Sequence, residues 1–340
     1  MDVSFGLDTF GDVTVAAEGR RLSQAEVLRN TVEQAVLADQ VGVDAIGIGE
    51  HHRDDFAVSA PEIVLATVAG RTERILLGTA VTVLSSDDPV RVYEKFATLD
   101  GVSGGRAEIQ IGRGSFTESF PLFGYDLADY EVLFEEKLDL LTQLLTERPV
   151  TWSGRTRAPL TNADVFPKTE NGIRTWIGVG GSPESVVRAA KYGHPLMLAI
   201  IGGQPDRFAP YTDLYRRALA DLGREELPIG VHSPGHIGAS DAEAREALFP
   251  HFKANRDRIG RERGWGPATR EQFEAEADHG ALFVGSSETV AQKIVGTVRA
   301  LGLSRFDLKY SNGTMPHDQL MDSIGRYGTE VIPRVRELLA

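Results

Sequence analysis

With 340 residues, 41% of them hydrophobic, the chain can bury one large core, and its length suits either an α/β barrel or two smaller domains. Its 49 acidic residues outnumber 36 basic ones, and the formal charge of −13 argues against nucleic-acid binding. There is no cysteine, which excludes disulfides, Cys-ligated zinc and thiol chemistry and fits a reducing compartment. Met1 to Phe5 lacks the basic-then-apolar pattern of a signal peptide, and no apolar run approaches membrane-spanning length. A soluble, cytoplasmic protein with no membrane partner is expected.

Val3 to Leu7 reads as a short strand. A helix then opens at Ser23, where Ser23 and Glu26 form an S-x-x-E capping box, and Gly42 is placed to end it. Asp44 to Ile48 is a second buried strand. Ser59-Ala60-Pro61-Glu62 reads as another capping box, opening a helix to Ala69 that is apolar nearly all round and so needs cover on more than one side, as at a subunit interface. The continuous run Ile75 to Leu84 predicts a strand buried on both faces, and Asp88-Pro89 caps the helix after it.

Ala107 to Ile111 is the fourth strand, and Phe134, Leu138, Leu141 and Leu145 mark the face of a long helix. From 150 to 168 the pattern breaks around Trp152, Gly154, Pro159 and Pro167, as in a hairpin excursion. Alternation resumes with strands at Trp176–Val179, Leu196–Ile201, Ile229–His232 and Phe306–Tyr310, with helices between them. The stretch Gly264–Ala281 is polar and reads as irregular, a lid-like insertion near 264–283. Eight strands alternating with helices, with no break in composition, predict a single (β/α)₈ TIM barrel domain over 1–340; a doubly wound open sheet is the runner-up.

Chemistry concentrates where predicted strands end. Gly47-Ile48-Gly49-Glu50-His51-His52-Arg53 places a carboxylate, two imidazoles and a guanidinium behind a buried strand. The His pair lacks the H-E-x-x-H spacing of a zinc helix, and neighbours on extended chain point apart, so one imidazole at most faces a given pocket. It is either a solvated pair beside an Arg53–carboxylate bridge or a source of a general base. Gly180-Gly181-Ser182-Pro183-Glu184-Ser185 opens a helix without the S-x-x-E return found elsewhere. Its N–H groups and hydroxyls could serve an anion, although Glu184 counts against this and an ordinary Ser cap explains it equally. Gly112-Arg113-Gly114 sets a guanidinium at another strand end, as a phosphate fork or as an ion pair with Glu118. No G-x-G-x-x-G follows a strand, which disfavours a Rossmann site.

In this order, Gly49-Glu50-His51-His52, Leu77-Gly78-Thr79-Ala80-Val81, Pro89-Val90-Arg91, Gly104-Gly105-Arg106, Ile111-Gly112-Arg113-Gly114, Phe123-Gly124 and Ser182 through Gly193 resemble the bacterial luciferase-like flavin monooxygenases over nearly the whole chain. The resemblance implies a (β/α)₈ barrel binding reduced FMN at the carboxyl ends of its strands, with O₂ reacting at the flavin. It implies that His51 is the catalytic histidine. It also implies that Arg113, Ser182 and Ser185, with Gly180 and Gly181, hold the flavin phosphate, and that Ala80–Val81 is a cis peptide behind the flavin ring. It further implies association through the helices after the second and third strands, in a homodimer or larger homo-oligomer, with a separate flavin reductase as a possible partner.

Luciferase itself has an acidic residue at the position of Gly181 and a cysteine at that of Gly112. The lost carboxylate is expected to favour the phosphate, and light emission is not implied. The resulting expectation is an FMN-dependent monooxygenase acting on a small, apolar organic substrate. The alternatives are a deazaflavin-dependent dehydrogenase, a non-catalytic flavin-binding protein and a metal-dependent hydrolase using His51 and His52.

Overall fold

A computed structural model describes residues 2–16, 18–114 and 116–340. The first half alternates β1 (Ser4–Thr9), α1 (Gln24–Gln40), β2 (Ala45–Ile48), α2 (Pro61–Ala69), β3 (Leu76–Thr79), β4 (Thr82–Val83), α3 (Pro89–Ser103) and β5 (Glu108–Gly112). Then come α4 (Ser119–Leu122), α5 (Tyr130–Leu144), β6 (Val150–Trp152), β7 (Leu160–Ala163), β8 (Arg174–Val179) and α6 (Pro183–Tyr192). The last part holds β9 (Leu196–Ala199), α7 (Ala209–Asp221), β10 (Ile229–Ile237), α8 (Asp241–Arg263), α9 (Arg270–Asp278) and β11 (Phe283–Gly285). It closes with α10 (Ser287–Leu301), β12 (Arg305–Lys309), α11 (His317–Arg326) and α12 (Ile332–Leu339).

The parallel sheet runs β3-β2-β1-β12-β10-β9-β8-β5-β4. Its two ends, β3 and β4, are halves of one stave, and a bridge from Leu77 to Ala107 crosses the seam, so the sheet closes into the expected β/α barrel. Phe5, Leu7, Ile46, Ile48, Leu77, Ile109, Ile111, Leu198 and Val231 are buried in the main core, with the apolar faces of the helices. β6 and β7 form the antiparallel excursion hairpin.

The polar helix starts form largely as the sequence indicates. Ser23 and Glu26 close a capping box, Asp88 accepts from the Val90 and Arg91 N–H groups, and Ser240 and Ser286 cap α8 and α10. Ser59 does not cap α2. Pro61 takes the first helical position, which leaves Ala60 as an N-cap with no side-chain acceptor, and Glu62 turns instead to Lys95, 3.3 Å away. Within one chain the helix is covered on one side: Val64, Leu65 and Val68 are buried, whereas Ile63 is 69% exposed.

The apolar run 75–84 is not one strand. The Ala80–Val81 peptide is cis, as the resemblance implies, and it separates β3 from β4. Nor is 264–281 irregular. Thr269 and Gln272 close a capping box at the start of α9, Phe273 packs between Phe249 and Phe252, and Lys293 donates to the Glu276, Ala277 and Leu282 carbonyls at its far end. Only Phe273 and Ala277 are buried on this helix, too sparse a stripe to stand out in a polar stretch.

Inside the barrel lies a layer of charge. Arg305 bridges Glu108 at 2.6 Å and Asp307 at 2.8 Å, all three buried. Burial raises the pKa of Asp307, opposed by Arg305 and assisted by Asp8 and Glu108. Glycines on neighbouring strands make the room. A Cβ on Gly6 would lie 2.1 Å from Asp307 Oδ1, one on Gly47 2.0 Å from Asp8 Oδ1, and one on Gly78 2.9 Å from Glu108. Among the described residues, no helix is long and apolar enough to cross a membrane.

Candidate active site

The chain leaves β2 through Gly49, whose missing Cβ admits the Ala80 carbonyl and the Phe10 ring, each within 2.5 Å of where that atom would sit. His51 follows, held by its N–H to the Val58 carbonyl (3.0 Å) and only 9% exposed. Its Nδ1 lies 3.2 Å from Glu118 Oε1, and Phe10, Phe56 and Phe116 surround its ring at 5.0, 4.5 and 4.9 Å. Burial of Glu118 opposes its charge, but the hydrogen bonds from His51 and from backbone N–H groups hold its carboxyl below the ordinary value. Such a site shields an imidazole from water while a carboxylate sets its orientation, as general acid–base chemistry requires.

His52 turns the other way, with Nε2 3.5 Å from Glu50 and its ring edge-on to Phe123. Glu50 Oε1 in turn accepts the Val83 N–H at 2.5 Å, tying the rim to β4. Arg53 forms the carboxylate bridge considered from sequence, to Asp55 at 3.0 Å and to Glu262 at 2.6 Å, and the Glu262 bond raises its pKa. Because the two imidazoles diverge to different carboxylates, they do not form one metal site. Among the described residues, no group of three or more His, Asp or Glu is placed to hold a metal ion. A cavity of about 300 Å³ lined by Gln24, His51, Arg53, Phe56 and Ser59 flanks this rim.

The Arg113, Ser182 and Ser185 side chains come together from two strand ends. Arg113 Nη2 donates to Ser185 Oγ at 3.2 Å, Ser182 Oγ lies 2.8 Å from Ser185 Oγ, and Ser182 accepts the Ser185 N–H at the start of α6. Gly180 has open space beside it, and Gly181 adopts a φ of +103°, where L side chains rarely go. The ion-pair partner expected for Arg113 was Glu118. It is Glu131 on α5 that pairs with Arg113, since Glu118 is engaged by His51. A carboxylate thus reaches Arg113 from α5.

Between these clusters sits Val81. A Cβ at Gly112 would lie 2.5 Å from Val81 Cγ2, and one at Gly178 3.1 Å from Val81 Cγ1. Glycine at 112, where luciferase has cysteine, thus makes room for valine at 81. His51, Ala80, Val81, Arg113, Gly180, Gly181, Ser182 and Ser185 consequently share one arc of the barrel rim. Sequence reasoning missed Glu118 as the partner of His51, Glu131 as the partner of Arg113, and the buried pair Asp8–His232 (2.5 Å).

A closed parallel barrel with its polar clusters at the carboxyl ends of the strands is an α/β-barrel enzyme scaffold. Residues 9–305 match the luciferase-like monooxygenases, and the chain belongs to that family. An uncharacterised protein y4vJ of Sinorhizobium fredii is 26% identical over 96% of this chain and 97% of its own. The alkanal monooxygenase alpha chain of the Kryptophanaron alfredi symbiont is 27% identical over 70% of this chain and 66% of its own.

Among solved structures, the monooxygenase RslO1 of Streptomyces bottropensis superposes with a TM-score of 0.82 at 22% identity, covering 97% and 99% of the two chains. The oxygenating constituent of 3,6-diketocamphane monooxygenase from Pseudomonas putida, in complex with FMN, gives 0.78 at 18% over 98% and 99%. The coenzyme F420-dependent tetrahydromethanopterin reductase of Methanopyrus kandleri gives 0.73 at 20% over 98% and 100%. The TIM-barrel fold is common to all three.

Proposed function

We propose that the protein is an FMN-dependent monooxygenase: reduced FMN, O₂ and a small apolar substrate give oxidised FMN, water and the oxygenated substrate. The observation that carries this reading is the convergence of Arg113 with Ser182 and Ser185 at the start of α6. A planar guanidinium, two hydroxyls and the positive end of a helix are the donor set a phosphate monoester takes. Among the described residues Glu131 is the carboxylate that pairs with Arg113; it is exposed and also pairs with Arg188, which keeps it when a ligand takes Arg113. Bound there, reduced FMN would supply the two electrons that activate oxygen.

The chain's own residues do the rest. Ala80 and Val81 form a wall for the flavin ring, with Gly112 and Gly178 keeping Val81 in place. His51, shielded by three Phe rings and oriented by Glu118, moves a proton at the barrel mouth. Ala199 and the exposed Ile201 at the end of β9 add an apolar wall for the substrate. A second copy of the chain covers Ile63 on α2, a separate flavin reductase delivers the reduced cofactor, and the cytoplasm is the setting.

The deazaflavin reading is the second one, because a phosphate cradle suits F420 as well and an F420-dependent reductase shares the fold. The test is equilibrium titration with FMN, riboflavin and F420, followed by oxygen uptake with reduced FMN. Preference for FMN with oxygen uptake supports the monooxygenase. F420 preference without uptake supports the dehydrogenase. FMN binding without turnover leaves a flavin-binding protein.

A further inference from the structure

We propose that Asp8 and His232 form a second proton-transfer pair at the barrel mouth, in which His232 Nε2 exchanges a proton with the ligand seated there. The role rests on the flavin-site reading above, but the state of the pair does not. Asp8 on β1 and His232 on β10 face each other across β12, which lies between them in the sheet. Asp8 Oδ2 and His232 Nδ1 are 2.5 Å apart, with the carboxylate fully buried and the imidazole side chain 9% exposed. A carboxylate can only accept here, so Nδ1 carries the proton and the lone pair is on Nε2. Among the described residues Nε2 makes no hydrogen bond, and the imidazole keeps a small exposed surface.

The surroundings fit a working pair. Among the described residues Asp8 Oδ1 is a buried acceptor with no partner, which places an oxygen lone pair beside the ring where an imidazolium would form. Gly47 is required for that carboxylate, since its Cβ would fall 2.0 Å from Oδ1. The Phe10 ring lies nearly parallel to His232 (6.2 Å, 26°) and edge-on to His51 (5.0 Å, 83°), so one phenyl separates two imidazoles that each have a carboxylate partner. The His51 partner, Glu118, comes from a loop, whereas the His232 partner comes from the barrel wall.

Other charged groups face the pair. Asp307 and Arg305 lie on β12 and Glu108 on β5, while Lys309 sits over Phe10 at 4.9 Å and bridges to Asp12. In the step itself an O–H or N–H bond of the ligand breaks as an Nε2–H bond forms. Asp8 stabilises the resulting cation, and the proton passes to water when the ligand leaves.

The experiment combines ¹⁵N NMR of the imidazoles in the full chain with single-turnover kinetics of reduced FMN and O₂ from pH 5.5 to 9. Expected are an Nδ1–H tautomer with bare Nε2 in the wild type, and its loss in Asp8→Asn. Asp8→Asn and His232→Gln are both expected to lower the rate by about 10²-fold or more, to remove one limb of the pH profile, and to leave FMN affinity within about threefold. A wild-type Nε2–H tautomer, or an unchanged pH profile in folded variants, overturns the proposal. Should His232→Gln not fold, Asp8→Asn and the wild-type spectrum still decide it. A wild type with the expected tautomer but no FMN turnover refutes the flavin reading and the proton-transfer role together, leaving only the oriented imidazole.

Discussion

Glu118 Oε1 lies 3.2 Å from His51 Nδ1 although the two residues are 67 apart in sequence, one after β2 and the other after β5. The same oxygen accepts the His52 N–H at 3.4 Å, so one carboxylate organises both the ring and the backbone of the rim. A positioned general base contributes about 10²–10⁴-fold. His51→Ala is therefore expected to lower turnover by that order with FMN affinity nearly intact, and Glu118→Gln by about tenfold. His52→Ala should instead reduce thermal stability, because His52 supports Glu50 and Glu50 holds β4. Single-turnover rates, FMN titration and melting of the three variants check this. Normal turnover in His51→Ala would remove the catalytic role.

Arg113 is shared between Ser185 and Glu131. A charge-assisted hydrogen bond is worth roughly 1.5–3 kcal/mol, about a ten- to hundred-fold change in affinity. Arg113→Ala is expected to weaken FMN by that factor and to leave riboflavin, which has no phosphate, almost unchanged. Glu131→Gln frees the guanidinium and is expected to tighten FMN severalfold. Isothermal titration with both flavins reads the difference, and equal losses for FMN and riboflavin in Arg113→Ala would move the phosphate elsewhere.

The staves of the barrel were legible because each is an apolar run between glycines and caps, as Ala45–Ile48 and Leu196–Ala199 show. The cluster proposed to hold phosphate was legible through a local contrast, Ser185 standing where other helix starts carry Glu or Thr. What could not be read depends on closure. Asp8, Arg305 and Asp307 alternate with apolar residues, the pattern of a strand with one face in water, and only the closed sheet turns that face inward. A faint signal exists in Gly6, Gly47 and Gly78, glycines inside strands at registers that face those charges. Glu131 was invisible for another reason: it is an ordinary exposed helix position until α5 is docked beside β5.

The fit between residues 81 and 112 is steric and testable. A methyl group at 112 would press on Val81 Cγ2 from 2.5 Å, in a layer with the Gly178 backbone on the other side. Overpacking of this kind costs about 1–3 kcal/mol. Gly112→Ala is expected to lower the unfolding free energy by that amount, and Val81→Ala in the same chain to restore much of it, because contacting sites are not additive. Denaturant titration of the single and double variants measures the coupling. Simple additivity would show that the two do not compete for one space.

Acid is expected to weaken the fold through histidines that are kept neutral. Burial lowers His236 and His194 to about 4 each, from an ordinary value near 6.5, and lowers His251 as well. In the pH range between those values the unfolded chain binds protons that the folded chain does not. Stability is therefore full above about pH 6.5 and is lost as the pH falls towards 4. His236 is 4% exposed, so at about 1.4 kcal/mol per pH unit its share of the loss by pH 4 is roughly 3 kcal/mol. Melting curves from pH 7.5 to 4 should show this decline, and His236→Gln should flatten part of it, whatever its effect at pH 7. An unchanged slope in that variant would mean that His236 is protonated in the folded protein, with one of the acidic residues around it, Asp322 first, as its partner.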